Sequence, residues 1–71
     1  MTLVEMNQLF RVIEDMWKVG SALEQEDYLA ELTDMKLSLA TITGAQADSA
    51  AWLRRTVDRL SRNISVAQAR I

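Results

Sequence analysis

Three stretches of this 71-residue chain carry side chains whose types and spacing could do chemistry: the adjacent acids Glu14 and Asp15, the adjacent acids Glu26 and Asp27, and the arginine run WLRRTVDRLSR over residues 52–62. Paired carboxylates serve acid–base catalysis when they converge on one substrate and their environments push their pKa values apart. Neighbours on a helix diverge by about 100° and remain solvated, so neither acid pair has the arrangement that such work requires. Cys and His are both absent. That removes disulfides, the usual zinc ligand sets and every Cys–His or Ser–His nucleophile pair. The two Gly-led segments, GSALEQED and GAQADSAA, lack the repeated Gly and the Lys of a phosphate loop. The expectation is a chain with no catalytic, cofactor or metal site.

The arginine run points to different chemistry. Four Arg and an aromatic on one helix could meet nucleic acid, and two such helices in a dimeric bundle could form a small regulator's binding face. The charge distribution opposes this. The net charge is -2 and the sequence pI is about 4.9. Residues 1–48 hold three cations against nine acids, while residues 49–71 hold five Arg against one Asp. An acidic neighbouring helix would repel phosphate within a Debye length of about 8 Å. Opposed halves suit a chain folded back on itself, and the nucleic-acid reading is kept as the alternative.

Those side chains must be positioned by helices. Pro is absent and Gly occurs at positions 20 and 44 only, while good helix formers supply much of the remainder. Both Gly residues are expected to end helices in the left-handed conformation. Thr2 with Glu5 and Ser21 with Glu24 match the capping-box spacing, and Asp48 is a candidate cap for a third helix. Helices are expected at about residues 3–19, 22–43 and 49–70.

The second and third helices repeat apolar residues in alternating steps of four and three: Tyr28, Leu32, Met35, Leu39 and Ile42 on one, Leu53, Val57, Leu60, Ile64, Ala67 and Ile71 on the other. This is the period of a supercoiled seam. If the chain reverses around residues 44–48, residue 42 pairs with 53, 39 with 57, 35 with 60, 32 with 64 and 28 with 67, and the two numbers in each pair total 95 or 96. A loose linker would have no reason to keep that register. The fold expected is all-α: an antiparallel, coiled-coil-like helical hairpin with an additional N-terminal amphipathic helix, three helices in one domain. Glu24, Asp27, Glu31 and Asp34 form an acidic ridge on the second helix, and Arg55, Arg59 and Arg62 a basic one on the third.

Apolar surface remains after the seam is closed. Helix one presents Leu3, Met6, Phe10, Ile13 and Trp17 in one stripe and Leu9, Val12, Met16 and Val19 in a second, while Leu23, Leu37 and Trp52 lie off the seam. Folding helix one onto the hairpin would make a three-helix bundle whose core takes up these faces. Alternatively, one stripe packs internally and the other meets a second polypeptide. A chain this short buries only about 60% of the surface exposed by its unfolded form, and without disulfides or metal its remaining reinforcement is a partner or a second copy of itself. The stripe Leu3, Met6, Phe10, Ile13 and Trp17 is the expected partner-binding surface, with Leu23, Leu37 and Trp52 as secondary anchors. No basic region precedes an apolar run at the start and no window approaches a membrane span, so a cytoplasmic protein is expected.

The start MTLVEMNQL, the run LTDMK at residues 32–36 leading to a Gly-containing turn, and Trp52 opening a heptad-patterned final helix give the chain a further likeness. It resembles the small helical-hairpin co-chaperones of type III secretion needle subunits. The resemblance implies binding without catalysis. Such proteins pair with a chaperone of the helical tetratricopeptide-repeat type and keep the needle subunit unpolymerised in the cytoplasm. Helix one of this chain is longer and more apolar than the leading helix of that family.

Overall fold

Both capping boxes form. The Thr2 hydroxyl accepts the Glu5 N–H at 3.1 Å while the Glu5 carboxylate accepts the Thr2 N–H at 3.0 Å. Ser21 and Glu24 do the same at 3.2 and 3.1 Å. Each box satisfies amides that a first turn leaves free, and so fixes where a helix begins. The backbone N–H of the cap residue, and then its hydroxyl, hold Glu5 and Glu24 below the ordinary carboxylate value of 4.5. Because the folded value lies below the unfolded one, this stabilisation is complete above the unfolded pKa and is lost as pH falls through the folded pKa. Ser21→Ala keeps the N–H and removes the hydroxyl. It is expected to cost about 1 kcal/mol of stability. In a carboxyl NMR titration it should also move Glu24 part of the way back up, and an unmoved Glu24 would mean that the hydroxyl contributes nothing.

The structure, a computed structural model, describes residues 1–70. It contains α1 (Leu3–Met16), α2 (Ala22–Leu39) and α3 (Ala47–Ala69), with single 3-10 turns at Trp17–Val19 and Gly44–Gln46. There is no strand among the described residues. The protein is therefore the expected all-α, three-helix fold. Ile71, assigned to the seam from the sequence, lies outside the described residues.

The boundaries depart from expectation at the bend. α2 stops at Leu39 rather than near residue 43. Thr41, Ile42 and Thr43 are β-branched and stiff at χ1, which disfavours helix, and the Thr41 hydroxyl donates to the Ser38 carbonyl at 2.8 Å, satisfying one terminal acceptor. α3 begins two residues earlier than expected, at Ala47, after Gln46, which makes no side-chain cap. Asp48 is thus not the cap. It sits in the first turn, where a carboxylate complements the positive end of the helix dipole.

The two glycines also part company. Gly44 has a φ of 76°, whereas Gly20 is extended at φ -78° and ψ 153°, so the left-handed expectation fails at position 20. A Cβ at Gly44 would meet open space, but the backbone there penalises every L side chain. Gly44→Ala should cost about 1 to 2 kcal/mol from this conformation alone. At Gly20 a Cβ would lie 3.4 Å from the Glu24 Cβ and the Trp17 carbonyl, an ordinary contact. Gly20→Ala should be neutral or stabilising by up to about 1 kcal/mol. Thermal melting of the two variants checks the contrast, and equal losses would refute it.

α2 and α3 run antiparallel. The Gln68 amide reaches the Ala22 carbonyl at 3.3 Å at one end, and Lys36 meets Asp58 at 3.2 Å further along. Leu32, Met35 and Leu39 from α2 and Leu53, Val57, Leu60 and Ile64 from α3 are buried together, with Ala50. Tyr28 and Ile42 pack against this core partly buried, and Ala67 is half-buried. α1 returns along the hairpin, antiparallel to α2. Its start lies beside Ser49, Trp52 and Leu53, and its end is tied to α2 by the Gln25 amide, which donates to the Trp17 carbonyl at 3.0 Å. The result is a bundle 42 Å long and 18 by 15 Å across.

Candidate interaction surface

The bundle turns the first stripe of α1 inward. Met6, Phe10 and Ile13 are buried in the core, and Leu3 and Trp17 pack against it partly covered. The expectation that this stripe meets a partner is therefore corrected for Met6, Phe10 and Ile13, while Leu3 and Trp17 stay partly exposed. Two helices side by side leave a furrow along their seam, and α1 fills it with one of its two apolar faces, which removes that face from water. The second stripe points outward: Val12, Met16 and Val19 are exposed and only Leu9 packs against the core.

The secondary anchors stand where solvent can reach them. Leu23 is 69% exposed, Leu37 67% and Trp52 57%. Trp52 lies in a furrow between α1 and α3. One part, ≈ 310 Å³, is lined by Leu3, Val4, Asn7, Ser49, Trp52 and Leu53. It shares Asn7 and Trp52 with a second part of ≈ 400 Å³ that adds Phe10, Arg11, Glu14, Asp15 and Thr56. Val4 was missed from the sequence because it falls in neither apolar stripe of α1. Its place beside Trp52 follows from α1 and α3 starting at the same end of the bundle, which no pattern along either helix announces.

Of the acid pairs, Glu14 and Asp15 sit on the rim of this furrow with Arg11, whereas Glu26 and Asp27 are exposed on α2. Among the described residues no three acidic side chains gather as a metal site would need. The charged ridges do not face each other within the chain. The ion pair that crosses the hairpin has the opposite sense, Lys36 of α2 with Asp58 of α3 at 3.2 Å, and Asp58 also meets Arg62 one turn along at 3.4 Å. Such partly exposed pairs contribute about 0.2 to 1 kcal/mol each. Lys36, Leu37, Ala40, Arg54, Arg55 and Asp58 line a third depression of ≈ 400 Å³ on the hairpin. Lys18 Nζ lies 5.9 Å from the centre of the Trp17 ring, a cation–π contact at the α1–α2 corner.

No helix among the described residues is long and apolar enough to cross a membrane. Comparison with protein families, with characterised proteins and with solved structures finds no match to this chain.

Proposed function

We propose that this chain is a protein–protein interaction module, a cytoplasmic co-chaperone that pairs with a helical-repeat chaperone and, through it, holds a needle subunit of a type III secretion system unpolymerised. The observation that supports this reading is the exposure of Leu23, Leu37 and Trp52 on a bundle whose core is already filled by other residues. Trp in particular is enriched among residues that dominate binding energy, and Trp52 borders an apolar furrow with Leu3 and Val4 that a partner side chain could fill. A self-assembling subunit must have its amphipathic helix masked before export, and a short helical bundle with apolar furrows suits helix-in-groove recognition.

The inward turn of Met6, Phe10 and Ile13 changes which surface a partner would read. The furrow between α1 and α3, bordered by Val4 and Trp52, takes the place of the α1 stripe. The test is co-purification from the native host at low and high salt, followed by mass measurement of the complex. Recovery of a second, helical-repeat polypeptide that stays bound as salt rises is the expected result. Recovery of the chain alone or only with itself would overturn the reading. A complex with nucleic acid that dissociates steeply with salt and depends on Arg55, Arg59 or Arg62 would establish the alternative regulator in its place.

A further inference from the structure

α2 is apolar on two opposite sides. Leu32, Met35 and Leu39 face the core, while Leu23 and Leu37 project from the far side, two turns before and after the exposed Ala30. Asp27 and Asp34 complete an outward stripe at 23, 27, 30, 34 and 37, the same alternation of four and three that builds the internal seam. α3 carries a matching stripe. Trp52 and Val66 are exposed at its ends, and positions 55, 59 and 62 between them are all Arg.

These stripes fit each other. Laid antiparallel they keep one register, each pair of residue numbers totalling 89: Leu37 faces Trp52, Leu23 faces Val66, Asp34 faces Arg55 and Asp27 faces Arg62. In the middle Ala30 falls opposite Arg59, leaving room for the aliphatic stem of the arginine. Apolar pairs thus close both ends and opposite charges fill the centre. Within one chain the stripes do not pair along their length, because each lies roughly half a turn from the buried residues of its own helix; they approach only where Leu37 and Arg55 border one depression on the hairpin. Among the described residues Asp27, Asp34 and Arg55 have no ion-pair partner, and Arg62 has only Asp58 of its own helix.

We propose that the outward stripe of α2 in one copy docks antiparallel on the outward stripe of α3 in a second copy. Each copy uses a different face on each neighbour, so the contact is head-to-tail and repeats. Charge complementarity sets the register and the apolar ends supply the area. This goes beyond the co-chaperone reading and does not rest on it, since it needs no other polypeptide.

The test is sedimentation equilibrium of the full chain with two charge-reversed variants, Asp27→Arg/Asp34→Arg and Arg55→Asp/Arg62→Asp. The wild type should gain mass with concentration, and its association constant should fall about tenfold or more between roughly 50 and 500 mM salt. Each variant alone should remain monomeric, because its two faces then carry net charge of the same sign. Mixed in equal amounts, the two should associate again, since each then meets an opposite face. Far-UV circular dichroism of each variant establishes that it is folded. Where reversal disturbs the fold, the neutral variants Asp27→Asn/Asp34→Asn and Arg55→Gln/Arg62→Gln replace it, each expected to weaken association about tenfold. A wild type that stays monomeric up to about 1 mM would overturn the proposal. So would folded variants that associate like the wild type, or a mixture that stays monomeric. Because this uses purified chain alone, its failure leaves the host co-purification to decide the co-chaperone reading separately.

Discussion

Phe10→Asp should unfold the bundle rather than selectively weaken a partner complex. Phe10 is 4% exposed and packs between the buried Met6 and Ile13 on the inner face of α1. Truncating a core Phe costs about 3 to 5 kcal/mol, and placing an unpaired carboxylate in the same apolar site adds a desolvation penalty. A chain of this length has a net stability of roughly 4 to 10 kcal/mol, so the combined loss consumes most or all of it. The expected thermal melt by circular dichroism is broad and shifted far down, or absent. Val12→Asp, on the solvent side of the same helix, should change the melt little because that position is already wet. A cooperative melt for Phe10→Asp near that of the parent would place Phe10 outside the core and restore the first stripe of α1 as a binding face.

Trp52→Asp should behave in the reverse way, keeping a cooperative, only moderately lowered melt and losing the partner. Trp52 is 57% exposed, so less than half of its surface is forfeited and the loss of stability should be about 2 kcal/mol, well below that of Phe10→Asp. As an interface anchor the same ring is worth about 2 kcal/mol or more, a loss of roughly thirtyfold in affinity for a heterologous protein partner. Isothermal titration with the polypeptide recovered from the host measures it. An unchanged affinity would remove the furrow between α1 and α3 from the proposed interface. Val4→Asp refines the reading, because Val4 borders that furrow but belongs to neither of the outward stripes proposed for self-association. It should weaken capture of the partner while leaving the concentration dependence of the chain's own mass intact. Trp52→Asp should disturb both.

Much of the fold is legible in short-range pattern. The cap residues Thr2 and Ser21 mark helix starts because a hydroxyl and a carboxylate three residues apart can satisfy only one local geometry. The seam residues of α2 and α3 are found from spacing because a helix repeats every 3.6 residues, and an antiparallel neighbour must honour the same period. The bend was harder to place. Its boundaries depend on competition between β-branched stiffness at residues 41–43 and continued helix propensity, two local effects of similar size with opposite sign. That balance ended α2 at Leu39, short of the expected bound, while α3 begins at Ala47, two residues before its expected start.

By itself, then, the sequence determined three helices, the caps of the first two, and the residues that zip α2 to α3, because each of these follows from local spacing along a single element or a pair joined by a short turn. Only the tertiary structure decided which stripe of α1 is core. Both stripes are apolar and adjacent on one helix, so local pattern cannot rank them. The choice is made by the shape of the furrow that the hairpin offers and by the side chains α1 meets there. The same packing left Trp52, Leu23 and Leu37 outside and aimed the acidic and basic ridges away from each other, because a helix that closes one seam must turn its opposite side to the solvent.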